Sequence, residues 1–142
     1  VRGICRLKPG IKGLSDNIKV YSIVGRFLEH SRIYYFYNNS SPLIYSGSAD
    51  IMQRNFDRRV EVLYPVEGTQ IKKELEEILH IYLKDTVKTR ELLSTGEYIR
   101  KPLNGEEPFN AEEYFIEKVK KKYQTEAKKN LKKKLLKRKE FI

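Results

Sequence analysis

The sequence holds a single cysteine, Cys5, and has no tryptophan. One cysteine excludes a disulfide within the chain and any metal site built from several cysteines, so we expect a reducing, cytoplasmic location. Only two histidines are present, His30 and His80, and no apolar run reaches the roughly 20 residues of a membrane-spanning helix. The chain begins with Val1, not Met, inside an apolar segment, from which we expect a fragment of a longer protein.

The sequence has an excess of positive charge, and this excess lies at one end. Of 29 Lys and Arg and 19 Asp and Glu, residues 1–117 hold 17 of each sign, whereas residues 118–142 hold 12 basic residues and 2 acidic ones. The length and the 39% hydrophobic content suffice for one folded domain. We therefore predict a domain over 1–117, which includes the start of the last helix, and a Lys-rich helical tail over 118–142. This tail either attracts polyanions or is a solvated helix end.

The order of apolar runs and turn clusters predicts an α/β fold of mixed α+β type, with one mixed sheet of five to seven strands flanked by helices. Thr69 is the predicted N-cap of an amphipathic helix that ends at Lys84, and Asn110 is the predicted start of the basic final helix. A short helical segment is expected to end near Asp57. Strands are predicted at 1–7, 17–24, 32–37, 43–46 and 60–64, with a small peripheral hairpin over 85–100.

His30 enters a predicted strand and is followed by the turn Gly47-Ser48-Ala49-Asp50. Glycine and serine expose backbone N–H groups and a hydroxyl to an anion, and imidazole exchanges protons near neutral pH, so the pattern is compatible with a phosphate site. The competing interpretation is that His30 only packs or caps a strand end. His80 and Cys5 are interpreted as a helix-flank residue and a buried core thiol, and neither is assigned a role.

Arginine outnumbers lysine in the first sixty residues, by seven to three. The planar guanidinium matches phosphate oxygens better than the ammonium of lysine does, which favours phosphate recognition. Ordinary ion pairing with nearby acidic residues explains the same composition. The arginines are Arg2, Arg6, Arg26, Arg32, Arg54, Arg58 and Arg59.

Several blocks together, in this order, resemble one known family. They are Arg2-Gly-Ile-Cys5, Ser15-Asp-Asn-Ile18, Ser22 to His30, Gly47 to Asp50, Arg54 to Glu61 and Asp85 to Arg90. This series is similar to the C-terminal catalytic domain of bacterial polyphosphate kinase, which makes polyphosphate from ATP. That family in turn resembles the phospholipase D superfamily. The motif of the superfamily is His-x-Lys-x₄-Asp. It is degenerate in this chain, since Arg32 stands in place of the lysine and Tyr37 stands in place of the aspartate.

The resemblance implies a phosphoryl transfer that this chain performs only in part. In the family, a histidine of a preceding domain, absent from this chain, is phosphorylated by ATP and passes the phosphate reversibly to polyphosphate. His30 matches the second active-site histidine, and Arg2 matches an arginine that binds the ATP phosphates. We predict secondary phosphate contacts at Arg32, Ser48 and Arg54.

The resemblance also implies substrates and partners. ATP, ADP and polyphosphate are the expected ligands. Mg²⁺ is expected to bind mainly outside this chain, in which we predict no metal ligand. We expect a homo-oligomeric full-length phosphoprotein, peripheral membrane association and no specific nucleic acid, and we expect the isolated chain to be inactive. A phospholipase D-like phosphodiesterase and a polyanion-binding module that acts through the Lys-rich tail remain the alternatives.

Overall fold

The computed structural model describes the backbone of residues 5–139 and the side chains of residues 5–130. The chain forms two compact units, one of Val1–Val24 with Asp85–Ile142 and one of Gly25–Lys84. Six strands form two three-stranded antiparallel sheets, and there are three helices among the described residues. The elements are β1 (Tyr21–Ile23), β2 (Ile33–Phe36), β3 (Leu43–Gly47), α1 (Gln53–Arg58), β4 (Leu63–Pro65), α2 (Thr69–Lys84), β5 (Thr89–Leu92), β6 (Tyr98–Arg100) and α3 (Ala111–Lys139).

The unit that contains both ends of the chain is built on a sheet of order β1-β5-β6. Ser22 lies opposite Arg90 in the β1–β5 pair, and β6 follows β5 through a tight hairpin in which Gly96 has a φ of +92°. That backbone conformation favours glycine. Leu92, the last residue of β5, and Val20, just before β1, are both buried, and a backbone hydrogen bond of 3.0 Å joins the N–H of Leu92 to the carbonyl of Val20.

A buried carboxylate ties this sheet to the first turn of α3. Asp85 is fully buried, and one of its oxygens accepts hydrogen bonds from the N–H of Lys88 at 2.8 Å and from the N–H of Thr89 at 2.9 Å. The Thr89 hydroxyl donates to the same oxygen at 3.1 Å. The other oxygen accepts from the N–H of Ala111 at 2.8 Å, where the helix dipole also favours a negative charge. The start of α3 is therefore fixed to β5.

The second unit is built on a sheet of order β2-β3-β4. β2 and β3 form the predicted hairpin, and the turn between them holds Asn38, Asn39 and Ser40 at positive φ, a conformation that asparagine tolerates well. Ile44, on β3, is 2% exposed and is the centre of the small core. Partial burial and then the Glu76 carboxylate of α2 raise the pKa of the Tyr35 hydroxyl of β2, so that helix lies beside the sheet.

The α/β fold class is confirmed, but the single mixed sheet is wrong. Because β5 pairs with β1 and not with β4, the six strands lie in two separate antiparallel sheets. The hairpin predicted as peripheral contains β5, the central strand of its sheet. The predicted first strand lies partly outside the described residues, and its remainder, Cys5–Leu7, is not a strand.

Three details at single residues also differ from the predictions or refine them. Cys5 is half-buried and not a fully buried core thiol. Gly68, not Thr69, is the N-cap of α2, because the Gly68 carbonyl accepts the first helical hydrogen bond, from Lys72 at 2.9 Å. Asn110 is confirmed as the cap of α3, since its Oδ1 accepts a hydrogen bond of 3.1 Å from the Glu112 N–H.

Within the described residues, no helix is both long enough and apolar enough to cross a bilayer.

Candidate active site

His30 lies in the irregular segment between β1 and β2, and its side chain is exposed. The residues on either side of it are held by side-chain contacts. Tyr82 of α2 donates a hydrogen bond to the carboxylate of Glu29, and Arg32 donates to the His30 carbonyl at 2.6 Å. The imidazole is therefore open to solvent while the backbone that carries it is anchored on both sides. An exposed imidazole on a fixed backbone is the arrangement that proton transfer or contact with a phosphate requires.

Arg32 forms an ion pair with Asp50, the last residue of the Gly-Ser-Ala-Asp turn. Its Nε lies 3.0 Å from one Asp50 oxygen, and a terminal nitrogen lies 3.5 Å from the other. The hydrogen bond from Arg32 lowers the pKa of Asp50, with smaller contributions from the charges of Arg32, Arg54 and His30. The same bond raises the pKa of Arg32. This pair connects the backbone next to His30 to the turn after β3.

Ser48, Asn55 and Glu61 form a second group, which we name the Glu61 cluster. Ser48 donates a hydrogen bond to one Glu61 oxygen, and the Asn55 amide donates to the other at 2.8 Å. The Ser48 hydroxyl also accepts the N–H of Val62 at 3.1 Å. Asn55 is 3% exposed, and its Oδ1 has no hydrogen-bond partner among the described residues.

The Gly-Ser-Ala-Asp turn keeps its shape through close backbone contacts. A Cβ at Gly47 would lie 2.1 Å from the carbonyl oxygen of Val62, so a side chain does not fit at this position. The Ser48 N–H donates to that same oxygen at 2.9 Å. Tyr34 donates a hydrogen bond to the Ala49 carbonyl, and burial, followed by the charge of Asp50, raises the pKa of the Tyr34 hydroxyl. Glycine is therefore required here for strand packing.

The structure thus brings four of the predicted site residues into one unit. His30, Arg32, Ser48 and Arg54 all belong to Gly25–Lys84, and the side chains of His30, Ser48 and Arg54 are exposed. Arg2 lies outside the described residues, so its predicted role stays a prediction. The sequence alone predicted no role for Asn55 or Tyr34. It also did not predict that Glu61 accepts hydrogen bonds from Ser48 and Asn55. Asn55 and Glu61 lie in the block Arg54 to Glu61, which resembles the polyphosphate kinase family. That block was the sequence signal by which both residues could have been found.

The described residues hold no ready cluster of Mg²⁺ ligands. Among them, no three His, Cys, Asp or Glu side chains lie together. The two carboxylates of the candidate site are also engaged, Asp50 by Arg32 and Glu61 by Ser48 and Asn55. In phosphoryl-transfer sites magnesium is usually held by one or two carboxylates together with waters and substrate phosphates.

Comparison with known proteins identifies the family. Residues 1–112 match the family model described as "Polyphosphate kinase C-terminal domain 2". The chain belongs to the polyphosphate kinase family. It is 55% identical over 115 residues to a polyphosphate kinase of Helicobacter pylori, which covers 81% of this chain and 16% of that protein. It is 47% identical over 117 residues to the polyphosphate kinase of Prochlorococcus marinus, with 82% and 16% covered.

A solved structure gives the same result for the fold. The crystal structure of polyphosphate kinase from Porphyromonas gingivalis matches with a TM-score of 0.79 and 36% identity, over 87% of this chain and 19% of that one. The resemblance inferred from the sequence blocks is therefore confirmed. The chain spans about a sixth of the length of these curated polyphosphate kinases.

Proposed function

We propose that this chain supplies part of the phosphoryl-transfer site of a polyphosphate kinase, with His30 as the residue that contacts the transferring phosphate. The observation that carries the proposal is the exposed imidazole of His30 on a backbone anchored through Arg32 and Glu29. The family match covers the region in which these residues lie.

In this proposal the complete enzyme moves the terminal phosphoryl group of ATP to a histidine outside this chain and then to the end of a polyphosphate chain. Phosphoryl transfer depends mainly on positioning and on stabilising charge spread over the phosphate oxygens. His30 would donate a hydrogen bond or a proton to these oxygens, and Arg54, which is exposed, would add positive charge. Arg32 acts through the backbone of His30 and through Asp50, so we assign it a positioning role.

The histidine replacement that tests this proposal has a matched control in the same unit. His30→Ala in the full-length enzyme should lower polyphosphate synthesis by about a hundredfold or more, the usual range for loss of an acid–base group. His80→Ala removes the other histidine, which is exposed on α2 and has no assigned role, and should leave synthesis unchanged. Synthesis rates measured from ATP with both variants decide the matter. A His30→Ala enzyme that retains near-normal turnover contradicts the proposal.

The proposal also implies that the 142-residue chain alone is inactive. The family resemblance assigns the phosphate-accepting histidine to a domain outside this chain, so ATP and Mg²⁺ should yield no polymer. Formation of polyphosphate by the isolated chain would show that this division of roles is wrong. The cytoplasmic location, the homo-oligomeric state and membrane association stay predictions.

A further inference from the structure

We propose that the Lys-rich half of α3, residues 118–139, binds inorganic polyphosphate and holds the chain on the enzyme. The binding surface is the helix itself, and it contains none of the candidate site residues of Gly25–Lys84. The identity of the ligand depends on the proposed function, whereas the presence of a polyanion-binding surface does not.

The first turn of α3 is anchored, and its described side chains from Glu117 onward are exposed. Ala111 is fully buried, and its N–H donates to Asp85. The Phe109 N–H donates to the Thr86 hydroxyl at 3.0 Å just before the helix begins. From Glu117 to Asn130, by contrast, every side chain is exposed. The helix therefore starts on the β5 side of its unit, while its side chains from Glu117 to Asn130 face solvent.

The basic segment lies beyond the residues that the family model matches. The family model ends at residue 112, before the first of these lysines. The Lys-rich segment is thus not needed to explain the match to polyphosphate kinase. A stretch with 12 basic residues outside the matched range 1–112 needs its own physical explanation.

The charge density of the segment suits a closely spaced linear polyanion. Residues 118–139 hold 12 Lys and Arg, and Glu126 is their only acidic residue. With a rise of about 1.5 Å per residue, the 22 positions span about 33 Å, or roughly one positive charge per 3 Å. Polyphosphate carries a charge on each successive phosphate, so many of these cations can be neutralised by one extended chain.

The arrangement of these residues favours polyphosphate over a membrane or a nucleic acid. The apolar positions, among them Val119, Tyr123 and Ala127, recur every four residues and so drift by about 40° per step around the helix. A membrane-surface helix needs one continuous apolar face, which this drift prevents. Single-stranded nucleic acids are bound by stacking on several aromatic rings, and Tyr123 is the only aromatic residue between 118 and 139.

Lysine supplies almost all of the positive charge of the segment. Eleven of the 12 basic residues are lysines and one is Arg138. The ammonium group is a mobile point charge that accommodates a flexible phosphate chain without fixed geometry. Among the described side chains, Lys120 pairs with Glu117 at 2.7 Å, which lowers the pKa of that glutamate. Lys121, Lys122, Lys128 and Lys129 are exposed and are the residues to test.

The binding test uses the 142-residue chain and polyphosphate of defined length as the probe. Replacing Lys121, Lys122, Lys128 and Lys129 together by glutamine removes four charges, and we expect the Kd to rise at least tenfold. The slope of log Kd against log salt concentration should fall by about 3, because each of the four lost phosphate contacts contributes about 0.7. Arginine at the same four positions keeps the charge and should keep both the affinity and the salt dependence. Circular dichroism checks that each variant retains its helix.

Two results would overturn the inference. One is a glutamine variant that binds polyphosphate as tightly as the unmodified chain. The other is tighter binding of single-stranded DNA of equal charge, or of vesicles rich in anionic lipid, than of polyphosphate. These results would show that the surface is unused or serves a different macromolecule.

A second pair of measurements separates this inference from the proposed function. His30→Ala should abolish synthesis by the full-length enzyme while leaving polyphosphate binding by α3 unchanged. The glutamine variant should start chains at the normal rate but release them earlier, which gives shorter products on a gel. If His30→Ala retains synthesis, the proposed function fails and the binding surface stands. If product length is unchanged in the glutamine variant, the role of α3 in holding the chain is wrong.

Discussion

Replacing Asp85 tests the contact that fixes α3 to its sheet. This carboxylate is fully buried and accepts four hydrogen bonds, from the N–H groups of Lys88, Thr89 and Ala111 and from the Thr89 hydroxyl. Asp85→Ala would leave three backbone donors without a partner in a buried position. Each orphaned donor costs about 1 to 3 kcal/mol, and local relaxation keeps the sum near the lower end. We therefore expect a loss of about 3 to 5 kcal/mol in the free energy of unfolding.

Asp85→Asn separates the contribution of the charge from that of the shape. Asparagine has nearly the same size but offers only one acceptor oxygen, so its NH₂ group must face at least one of the donors now bound by Asp85. We expect a loss of about 2 kcal/mol, smaller than that for alanine, because part of the hydrogen bonding survives. Glu126→Gln, which removes an exposed acid from the same unit, should change stability by about 0.5 kcal/mol or less.

Urea unfolding followed by circular dichroism is a suitable assay because the chain has no tryptophan to report by fluorescence. With an m-value of about 2 kcal/mol/M, a loss of 3 to 5 kcal/mol lowers the midpoint by about 1.5 to 2.5 M. Hydrogen exchange should become faster at the amides of Lys88, Thr89 and Ala111. If Asp85→Ala lowers stability by less than about 1 kcal/mol, the buried network does not contribute as argued.

Two further predictions concern the candidate site. Gly47→Ala should destabilise the protein by more than about 2 kcal/mol in urea unfolding, since its Cβ would meet the Val62 carbonyl at 2.1 Å. In the control Gly68→Ala, the new Cβ would lie 3.4 Å from a flexible side chain, and the cost should be at most about 1 kcal/mol. Equal losses of stability in the two variants would contradict the prediction. Arg32→Gln should raise the pKa of Asp50 toward its ordinary value near 4, as measured by NMR titration. Because the Asp50 pKa is lowered in the folded state, the Arg32–Asp50 pair stabilises the protein above about pH 4, and this contribution is lost as the pH falls through the lowered pKa. The difference in stability between the unmodified protein and Arg32→Gln should therefore become smaller in acid. If the difference in stability became larger in acid, Arg32 would not be the group that lowers the Asp50 pKa.

Local patterns predicted much of the secondary structure. The apolar spacing of α2 gave its full extent, and Asn110 marked the start of α3, because helix periodicity and capping depend on residues close in sequence. The hairpin of β2 and β3 was likewise predicted, from its polar turn. Pairing between distant strands was not predictable in this way. Local propensity does not determine that β5 joins β1 and leaves β4 in another sheet.

The sequence alone determined the family and the choice of His30, because ordered blocks of residues are specific even where each block is not. It also determined that the excess of positive charge lies in the last 25 residues, which is a property of composition. Only the tertiary structure decided which groups the side chains of Arg32 and Ser48 contact. Arg32 holds Asp50 and the His30 backbone, and Ser48 is bound to Glu61. The reason is physical, since hydrogen bonds between residues far apart in the chain depend on distances and directions that exist only once the strands have packed.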